Sequence, residues 1–554
     1  MKDNWKILPR QDSGVIEQLL FNRGLNVSEK EFFLRPDFEA GLCSPSKLPF
    51  FDIFLSRIKK AILHKERVAI YADYDADGIP GAAFLYKALM LLGLDVEVYI
   101  PSRDEGYGIS QKGIDSLVEK NCSLIITVDL GIRNIEEANY ALNHGVDLII
   151  TDHHLPGEEL PKALAVINPK IAESNYDFKD LSGAGVIYKL FYGLKDYFSE
   201  ISDSFLKWNL DLIAISTISD VVPLVGENRI MAKYGLKVIN KSKNLGIRKI
   251  VEKSNLKFGE ISSYEIGYVI APRINAPGRL STPHDSFLLL TTDNAEEADV
   301  LANNLERENT ERQGLMEKLL KEAEAEINKE KLFNNRIIIL CGNWHKGILG
   351  PCASKIAEKF SRPTILFSSQ TLDNTLVGSA RSINNINIME VIARASKVLE
   401  KFGGHSGAAG LSVQKNNFAD FKKILIEFTR KKISLLDLKK IFTIDREIEL
   451  EEITFSLLEN ISLFEPFGLG NNKPLFLTRL SKLHHPKLVG KDLKHLSFVL
   501  EKNNKRIKSI YFNCSIEAKK AKHLSEIDLI YYVDDQLWDG KRYVQIKIVD
   551  MDLL

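Results

Sequence analysis

The sequence has few cysteines, no net charge and no long apolar run, and each absence excludes a class of protein. Its 554 residues include five cysteines, which are scattered without any CxxC pair. This distribution favours reduced thiols over a disulfide or zinc framework. Basic and acidic residues balance at 74 each, so a polyanion could bind only at a local basic patch.

The apolar content is also too dispersed for a membrane protein. No stretch approaches the roughly 18 consecutive apolar residues of a membrane span. The N-terminal MKDNWKILPRQDSG lacks the apolar core of a signal peptide. We therefore expect a globular cytoplasmic protein without membrane contact, and the length predicts about three or four domains.

Short apolar runs alternate with amphipathic stretches in the first half of the chain. The runs, rich in Val and Ile and of strand length, are RVAIYA, DVEVYI, SLIITV, VDLIIT and ALAVIN. The stretches between them have helical length and spacing. This order predicts an α/β domain with a parallel sheet covered by helices. Sites in such sheets lie at the carboxyl ends of the strands, so the residues after each run are of interest.

Acidic motifs follow three of these runs. They are DYDADG with Asp73, Asp75 and Asp77, DLG with Asp129, and DHH with Asp152, His153 and His154. A further acidic residue, Asp220, lies near the end of NLDLIAISTISDVVPL, whose apolar spacing predicts a buried helix. The parallel sheet would bring these side chains to one edge.

Carboxylates gathered at one edge repel one another, and a bound cation offsets the repulsion. Unit charges about 4 Å apart repel by roughly 1 kcal/mol in water and by about 4 kcal/mol near a protein surface. Carboxylate oxygens with one or two imidazoles suit Mn²⁺ or Mg²⁺, without deciding between them. Two such ions about 4 Å apart can clamp the attacking and leaving oxygens of a phosphoryl group. The motifs therefore favour two-metal phosphoryl chemistry.

Each motif alone also has an ordinary structural explanation. DYDADG matches the opening of an EF-hand calcium loop, but its twelfth position is Phe84 instead of glutamate, and a strand precedes it. Asp129 alone is a helix cap, and Asp220 alone is a cap or turn residue. Adjacent histidines at a buried strand end are seldom core residues. The combination on successive strands is stronger evidence than any single motif.

In this order, DYDADG, VDLG, TDHH and SDVVPL resemble the four motifs of the DHH phosphoesterase family, which is named for the third. Within that family the chain is most similar to the single-strand-specific exonucleases of bacteria. Five further motifs carry this similarity over nearly the full length: PSRDEGYGIS (101–110), RINAPGRL (273–280), WHKGILG (344–350), GSARS (378–382) and GGHSGAAG (403–410).

The resemblance implies a role for each residue of the four motifs. One ion is held by Asp75 and Asp129 with Asp73 close by, and the other by Asp77, Asp129, His153 and Asp220, so that Asp129 bridges the pair. His154 faces the scissile phosphate, and Asp152 orients the histidines from behind. Catalysis is thereby assigned to Asp75, Asp77, Asp129, His153, His154 and Asp220. Members with small substrates often have a histidine before the first aspartates, where this chain has Tyr71, which leaves the first ion's ligand set open.

The resemblance also implies substrate contacts. An arginine fork suits a terminal 5′-phosphate, and Arg103 and Arg381 resemble the residues that hold it. The glycines of GGHSGAAG allow close backbone approach, and successive N–H groups at a helix start bind anions. The predicted substrate-binding residues are Arg103, Arg273, Arg279, Gln313 with neighbouring Arg312, Arg381, Gly403, Gly404 and His405. Each arginine could instead be a surface ion-pair partner.

The remainder of the chain predicts three more pieces. Residues 296–330 are rich in helix formers and lack proline, which predicts a long linker helix. RIIILCG, PTILFS and TLVGSAR predict strands of a second α/β unit, the DHH-associated domain. From FTIDREIEL onward, short alternating stretches predict an all-β domain like an OB-fold, which binds single strands. The predicted domains are 1–295, 296–330, 331–440 and 441–554.

Three smaller segments complete the prediction. Residues 480–498 are expected to form a solvated hairpin loop whose lysines follow a DNA backbone, with His484 and His485 not binding metal. PFGLGNNKP is expected to be a structured loop, and the N-terminal MKDNWKILPR to pack on the first domain.

The combined interpretation is a two-metal exonuclease that removes mononucleotides from the 5′ end of single-stranded DNA, in recombination and repair. A water-derived nucleophile attacks the phosphorus in line. The family resemblance further implies a monomer that associates with single-strand-binding protein and a RecQ-type helicase. Two alternatives stay open. The OB-like segment argues against a small-substrate phosphodiesterase or pyrophosphatase, and the intact metal motifs argue against a non-catalytic DNA-binding scaffold.

Overall fold

The computed structural model describes residues 2–11, 14–370, 374–383, 386–514, 518–538 and 541–553. The chain forms two compact units. The first contains Met1–Ala271, Phe287–Ala298 and Ile441–Leu554, and the second contains Pro272–Ser286 and Asp299–Lys440. Among the described residues, no helix has both the length and the apolar character needed to cross a membrane.

An N-terminal segment precedes the first sheet. It consists of β1 (Trp5–Ile7), α1 (Val15–Asn22), α2 (Val27–Leu34) and α3 (Phe51–His64). Asn26 begins α2 with a capping box, because its side chain accepts from the Glu29 N–H and the Glu29 side chain accepts in return.

A five-stranded parallel sheet lies at the centre of the first unit, in the order β3-β2-β4-β5-β6. Its strands are β2 (Arg67–Ala72), β3 (Asp95–Tyr99), β4 (Cys122–Val128), β5 (Asp147–Thr151) and β6 (Ala165–Ile167). The helices between them are α4 (Gly78–Leu91), α5 (Gln111–Glu119) and α6 (Ile135–Asn143). The predicted parallel sheet is confirmed, and β2 coincides with the RVAIYA run.

Helices complete this part of the first unit and lead into the second. They are α7 (Gly183–Leu194), α8 (Asp203–Trp208), α9 (Leu210–Ser219), α10 (Gly226–Ile239), α11 (Leu245–Lys253), α12 (Ser263–Glu265) with a π-helical turn over Ile266–Ile270, α13 (Ala271–Ile274), α14 (Pro277–Leu280) and α15 (His284–Thr291). Helices α4, α7 and α9 pack against one another and are largely buried. The buried helix predicted before Asp220 is therefore present.

The predicted linker is one continuous helix, α16 (Ala295–Lys329). Its C-terminal half has an apolar stripe at helical spacing, in which Leu319, Ala323 and Ile327 are buried. The absence of proline allows the helix to run without a break.

The second unit contains a mixed sheet in the order β10-β11-β9-β8-β7, in which only β7 and β8 are parallel. Its strands are β7 (Ile338–Gly342), β8 (Thr364–Ser368), β9 (Thr375–Arg381), β10 (Leu399–Gly404) and β11 (Ala408–Gln414). Its helices are α17 (Leu349–Phe360), α18 (Ile388–Ala393) and α19 (Phe418–Lys432). The predicted second α/β unit is confirmed.

The helix start predicted for GGHSGAAG was wrong. The segment is a β-hairpin turn, because Gly403 and Gly404 end β10 and Ala408 begins β11. The physical reason is the alternation that follows, in which Ala409, Leu411 and Val413 are buried on one face of β11. Burial of every second side chain is the pattern of a β-strand, so this backbone pairs in the sheet and does not start a helix.

The C-terminal part of the first unit is a barrel, as predicted. Its strands and helix are β12 (Phe442–Ile444), β13 (Arg446–Glu447), α20 (Phe455–Ser462), β14 (Phe476–Val489), β15 (His495–Lys502), β16 (Lys505–Tyr511), β17 (Glu526–Trp538) and β18 (Lys541–Leu553). Strand β14 pairs with both β15 and β17, which closes the ring β14-β15-β16-β18-β17. PFGLGNNKP precedes β14 as a structured loop containing the Gly468–Asn471 bridge.

Two further predictions were wrong. Much of the segment 480–498 is strand instead of loop, because β14 runs to Val489 and the buried Leu483 anchors it in the core. The N-terminal stretch packs on the C-terminal part: β1 pairs in parallel with β12, and Trp5 Nε1 donates to Asp550 Oδ2 at 3.0 Å. A short strand can pair with any strand that has unpaired backbone N–H and C=O groups nearby. The sequence of β1 does not identify which strand that is.

Candidate metal centre

The carboxyl ends of β2, β4 and β5 bring the predicted motifs together. Asp73, Asp129 and Asp152 each follow one of these strands directly, and their N–H groups donate to the neighbouring strands. The hydrogen bonds between neighbouring strands therefore continue to the first residue after each strand. As a result, the three motifs begin at the same edge of the sheet. Three groups of side chains have ligand atoms within 4.8 Å of one another: Asp73, Asp75 and Asp129; Asp77, His153 and Asp220; and Asp129, His153 and His154.

Asp129 lies at the middle of this arrangement. Its backbone has φ 64°, a left-handed conformation that is uncommon outside glycine. Its Oδ1 atom lies 3.1 Å from His153 Nε2. A Cβ on Gly183 would lie 2.5 Å from the Asp129 Cβ, so only glycine fits at the start of α7.

The start of α7 holds the carboxylate of Asp77. Asp77 accepts hydrogen bonds from Gly183 N at 2.7 Å and Ala184 N at 2.9 Å, and from Ser216 Oγ at 2.6 Å. Helix N-termini stabilise negative charge in this way. Asp75 Oδ1 in turn accepts from Asp77 N at 2.8 Å and Gly78 N at 3.1 Å. The two carboxylates are thus oriented before any ligand binds.

Asp152 lies behind the two histidines. Its Oδ1 accepts from the N–H groups of His153 and His154 and lies 2.8 Å from His154 Nδ1, while its Oδ2 accepts from Ile132 N. The buried His153 ring has Nε2 3.5 Å from Asp220 Oδ2 and 3.6 Å from Asp77 Oδ2. The His154 side chain is partly exposed and so reaches solvent from the same edge.

Burial and mutual repulsion dominate the electrostatics. Burial, followed by the neighbouring carboxylates, raises the pKa of Asp73, Asp129 and Asp220 well above the usual range and that of Asp75 to a lesser degree. Burial also lowers the pKa of His153. For Asp152, burial acts upward, but the hydrogen bonds from His154 outweigh it and lower the pKa.

The residues present fit divalent cations. Four atoms of the centre are buried without a hydrogen-bond partner among the described residues: Asp73 Oδ1, Asp129 Oδ1 and both ring nitrogens of His153. Buried polar atoms normally have partners, and a cation both satisfies such atoms and neutralises clustered carboxylates. Oxygen and imidazole donors suit Mn²⁺ or Mg²⁺. The arrangement is therefore able to bind metal.

Sequence reasoning missed several residues of the centre. Gly183 and Ser216 orient Asp77, and Tyr107 Oη lies 3.3 Å from His154 Nδ1. The positive charge of Lys170 acts downward on the pKa of Asp220, but burial and the neighbouring carboxylates outweigh it. The small residues of LSGAGV at a helix start were an available signal for Gly183. The PSRDEGYGIS motif was an available signal for Tyr107, whereas Ser216 and Lys170 meet the centre only through folding.

Arg103 is the predicted substrate contact that lies beside the centre. Its guanidinium lies 4.7 Å from the centre of the Tyr74 ring, and its charge acts downward on the pKa of Asp73. Glu105 closes a short helical turn over Arg103–Glu105 by accepting from Ser102 N at 2.9 Å. The loop that carries Arg103 is therefore ordered at the rim of the centre.

The other predicted substrate contacts lie in the second unit. Arg273 forms a two-point ion pair with Glu306, and Arg279 donates to Gly347 O at 3.1 Å. Arg381 donates to Ser379 Oγ and to Ala380 O. The remaining members lie on α16 or the hairpin: exposed Gln313, half-buried Arg312, and exposed Gly403, Gly404 and His405.

The fold and the centre define a metal-dependent phosphoesterase of the DHH type. Three family models match: the DHH family N-terminal domain over residues 67–217, the DHHA1 domain over 334–431 and the RecJ OB domain over 444–550. The domain boundaries drawn from the sequence stay a prediction.

Curated and solved relatives give the same family. The single-stranded-DNA-specific exonuclease RecJ of Bacillus subtilis (strain 168) is 32% identical over 97% of this chain and 67% of its own length. RecJ of Escherichia coli (strain K12) is 32% identical over 87% of this chain and 86% of its own. RecJ of Thermus thermophilus with Mn²⁺ superposes with a TM-score of 0.83 at 27% identity, covering 100% of this chain and 80% of that one. The same protein was also solved with Mg²⁺. The chain belongs to the RecJ family.

Proposed function

We propose that this protein is a single-strand-specific DNA exonuclease that removes 5′-mononucleotides by phosphodiester hydrolysis assisted by two divalent cations. The observation that carries the proposal is the pair of ligand groups, Asp73–Asp75–Asp129 and Asp77–His153–Asp220, gathered at one sheet edge. The family membership supports the substrate, because the named relatives are single-stranded-DNA-specific exonucleases.

Within this proposal the chain's own residues have distinct tasks. Asp129 belongs to the first ligand group, and its Oδ1 atom lies 3.1 Å from His153 Nε2 of the second, so Asp129 is assigned to both cations. Asp73 and Asp75 are assigned to one cation, and Asp77, His153 and Asp220 to the other. Bound there, the cations supply positive charge against the charge that develops on the phosphoryl oxygens. The amides of α7 keep Asp77 oriented during turnover, so little reorganisation is needed.

His154 and the arginines are assigned to the phosphates. Asp152 orients the His154 ring, whose partly exposed edge faces solvent and is therefore available to a scissile phosphate oxygen. Arg103 and Arg381 are proposed to hold the terminal 5′-phosphate by charge-assisted hydrogen bonds. Arg273, Arg279, Gln313, Gly403, Gly404 and His405 are proposed to contact the strand further along.

The test is hydrolysis of a 5′-phosphorylated, 3′-labelled single-stranded oligonucleotide with Mn²⁺, beside the same sequence as a duplex. We expect stepwise shortening of the single strand alone and release of mononucleotides. An intact oligonucleotide, together with hydrolysis of cyclic dinucleotides or pyrophosphate, would identify a small-substrate enzyme instead. Strand binding without any hydrolysis would identify a scaffold.

Asp129→Ala gives the matched variant for this test. It should lose hydrolysis and keep strand binding, because the proposed phosphate contacts are untouched. Asp203→Asn is the control, since Asp203 lies on the surface in an ion pair with Lys195. Equal hydrolysis by Asp129→Ala and the native chain would overturn the metal assignment.

The biological setting belongs to the same proposal. A role in recombination and repair, a cytoplasmic location, a monomeric state and association with single-strand-binding protein and a RecQ-type helicase are supported by the family resemblance alone. Binding of the protein to purified single-strand-binding protein and to a purified RecQ-type helicase tests the two associations. The mass of the protein in solution tests the monomeric state.

A further inference from the structure

Two stacked tyrosines lie exposed on the surface of the first unit. The rings of Tyr264 and Tyr268 are 4.7 Å apart at 30°, and the residues are 61% and 72% exposed. Ile266, which lies between the two tyrosines in sequence, and Ile270, which follows them, are both buried, and the turn Ile266–Ile270 packs against α9. The helix thus uses its apolar face for packing and presents the two rings to solvent, where nothing in the first unit's core requires them.

The helix that supports the tyrosines leads to the metal centre. Helix α9 ends at Ser219, and the next residue is the candidate ligand Asp220. Val221 follows with φ 59°, a left-handed conformation that is strained for a β-branched residue, and it is 61% exposed. Strain of this kind concentrates at functional sites. Helix α9 therefore contacts the turn that carries Tyr268 and ends beside the centre.

The loop before the barrel joins the same surface. Leu224 N donates to Leu469 O at 2.7 Å, and Ser263 Oγ donates to Phe467 O at 2.8 Å. Leu469 itself is exposed. The PFGLGNNKP loop is therefore attached both to the chain that leaves Asp220 and to the residue before Tyr264. These hydrogen bonds connect the chain after Asp220, the loop and the turn with the tyrosines. The exposed apolar groups along this connection are Val221, Leu469 and the two tyrosine rings.

We infer that Tyr264 and Tyr268 form a stacking platform for bases of the single strand whose 5′ end occupies the metal centre. The inference rests on the proposed function and adds to it a contact site for bases of the substrate strand. Aromatic rings stack on every base, so such a platform holds a strand without reading its sequence. Unstacked bases fit the platform, whereas paired bases of a duplex have no free face to offer. The pair thus contributes to single-strand preference as well as to affinity.

The test compares KM and kcat for Tyr264→Ala/Tyr268→Ala with those of the native protein on a single-stranded oligonucleotide. Loss of base stacking should raise KM about tenfold with little change in kcat, because the platform does not touch the reacting atoms. Tyr264→Phe/Tyr268→Phe should keep the native KM, since the ring face survives. Tyr197→Ala is the control, an exposed tyrosine of the same unit whose ring meets Lys59.

Oligonucleotides with one abasic site at successive positions locate the platform on the strand. For the native protein, KM should rise at one or two positions downstream of the cleaved bond, and the alanine variant should be insensitive there. The salt dependence of binding should be equal for both, because no phosphate contact is lost.

The outcomes separate this inference from the function on which it rests. If the native protein does not shorten the strand, the proposed function fails first. If it does and the alanine variant has the native KM, only the platform is overturned, and the pair is left as a surface for a protein partner. A phenylalanine variant as impaired as the alanine variant would also overturn stacking, since the hydroxyls would then carry the effect.

Discussion

The acidic edge of the first unit and the glycine-rich hairpin of the second are both proposed to handle phosphates, yet they are held in opposite ways. The carboxylate of Asp77 is buried and accepts three hydrogen bonds from α7 and α9. Gly403, Gly404 and His405 are exposed, and the hairpin is held by backbone bonds such as His405 N to Ala408 O at 2.9 Å. One region is preorganised by packing, the other by hydrogen bonds within and beside the hairpin.

This difference has a consequence for stability. Burial and like charge raise the pKa of Asp129 well above its usual range, so an ionised Asp129 without a cation costs folding free energy. The hairpin carries no such cost, because its residues are already in water. Substitutions that remove a buried carboxylate charge from the acidic edge should therefore change activity and stability in opposite directions. Substitutions in the hairpin that meet no neighbouring atom should change substrate binding alone.

The largest effect is expected for Asp129→Asn. Activity should fall by about 10³-fold or more, because the shared metal ligand is weakened. In EDTA the variant should be more stable than the native chain by about 1–3 kcal/mol, since one buried charge is gone. Adding Mn²⁺ should raise the Tm of the native chain but not that of the variant. Thermal unfolding with and without Mn²⁺ checks this, and equal Mn²⁺ stabilisation of both proteins would contradict it.

A smaller but still large effect is expected for Gly183→Ala. The new methyl group would lie 2.5 Å from the Asp129 Cβ, which must move. We expect a loss of about 1–3 kcal/mol of stability from overpacking and a loss of about 10- to 100-fold in activity from misplaced ligands. Gly314→Ala on α16 is the control, because its Cβ meets nothing within 4 Å and should be neutral or stabilising. Denaturant unfolding and initial rates measure both; a native-like Gly183→Ala would break the comparison.

In the hairpin, Gly403→Ala should alter binding without altering stability. A Cβ there meets nothing within 4 Å, so the free energy of unfolding should change by less than about 0.5 kcal/mol. If the backbone approaches a phosphate closely, KM for single strands should rise several-fold at native kcat. Gly404→Ala is the contrasting variant: its φ of 150° and the nearby Ala408 carbonyl make it destabilising. A native KM for Gly403→Ala would remove this residue from the substrate contacts.

The smallest effect concerns Glu105 at the rim of the acidic edge. Burial acts to raise its pKa, but hydrogen bonds from Tyr99 and Ser102 outweigh burial and lower the pKa to about 2. Because the folded pKa is below the unfolded one, the stabilisation is present above about pH 4.5 and is lost as the pH falls towards 2. Glu105→Gln should cost about 1 kcal/mol or less at pH 7, given partial solvent screening.

Denaturant unfolding of native and Glu105→Gln protein at pH 7, 5 and 3.5 measures this dependence. The difference should be equal at the first two pH values and smaller at the third. A difference that grows on acidification would contradict the sign of the shift.

The two regions also differ in how far their structure followed from sequence. RVAIYA, SLIITV and VDLIIT became strands because apolar β-branched runs of that length are buried on both faces of a parallel sheet. Their parallel order alone required Asp73, Asp129 and Asp152 to meet. For GGHSGAAG, glycines fit both a helix start and a hairpin, and the choice was made by the pairing of β11 with β9 and β10.

Chain ends show the same limit. The N-terminal stretch was expected on the first domain, yet β1 pairs with β12 more than four hundred residues away in sequence. Strand pairing is satisfied by any ladder of matching length, so local pattern does not identify the partner.

By itself, the sequence determined the strand and helix order, the long helix and barrel, and the edge at which the carboxylates gather, because periodicity and strand direction are local properties. Only the tertiary structure decided which side chains orient those carboxylates. Gly183 and Ser216 reach Asp77 from 106 and 139 residues away, and Tyr264 and Tyr268 are exposed because Ile266 and Ile270 are the residues that pack against α9. Contacts of this kind depend on which helices meet, and that is set by the packing of the whole core.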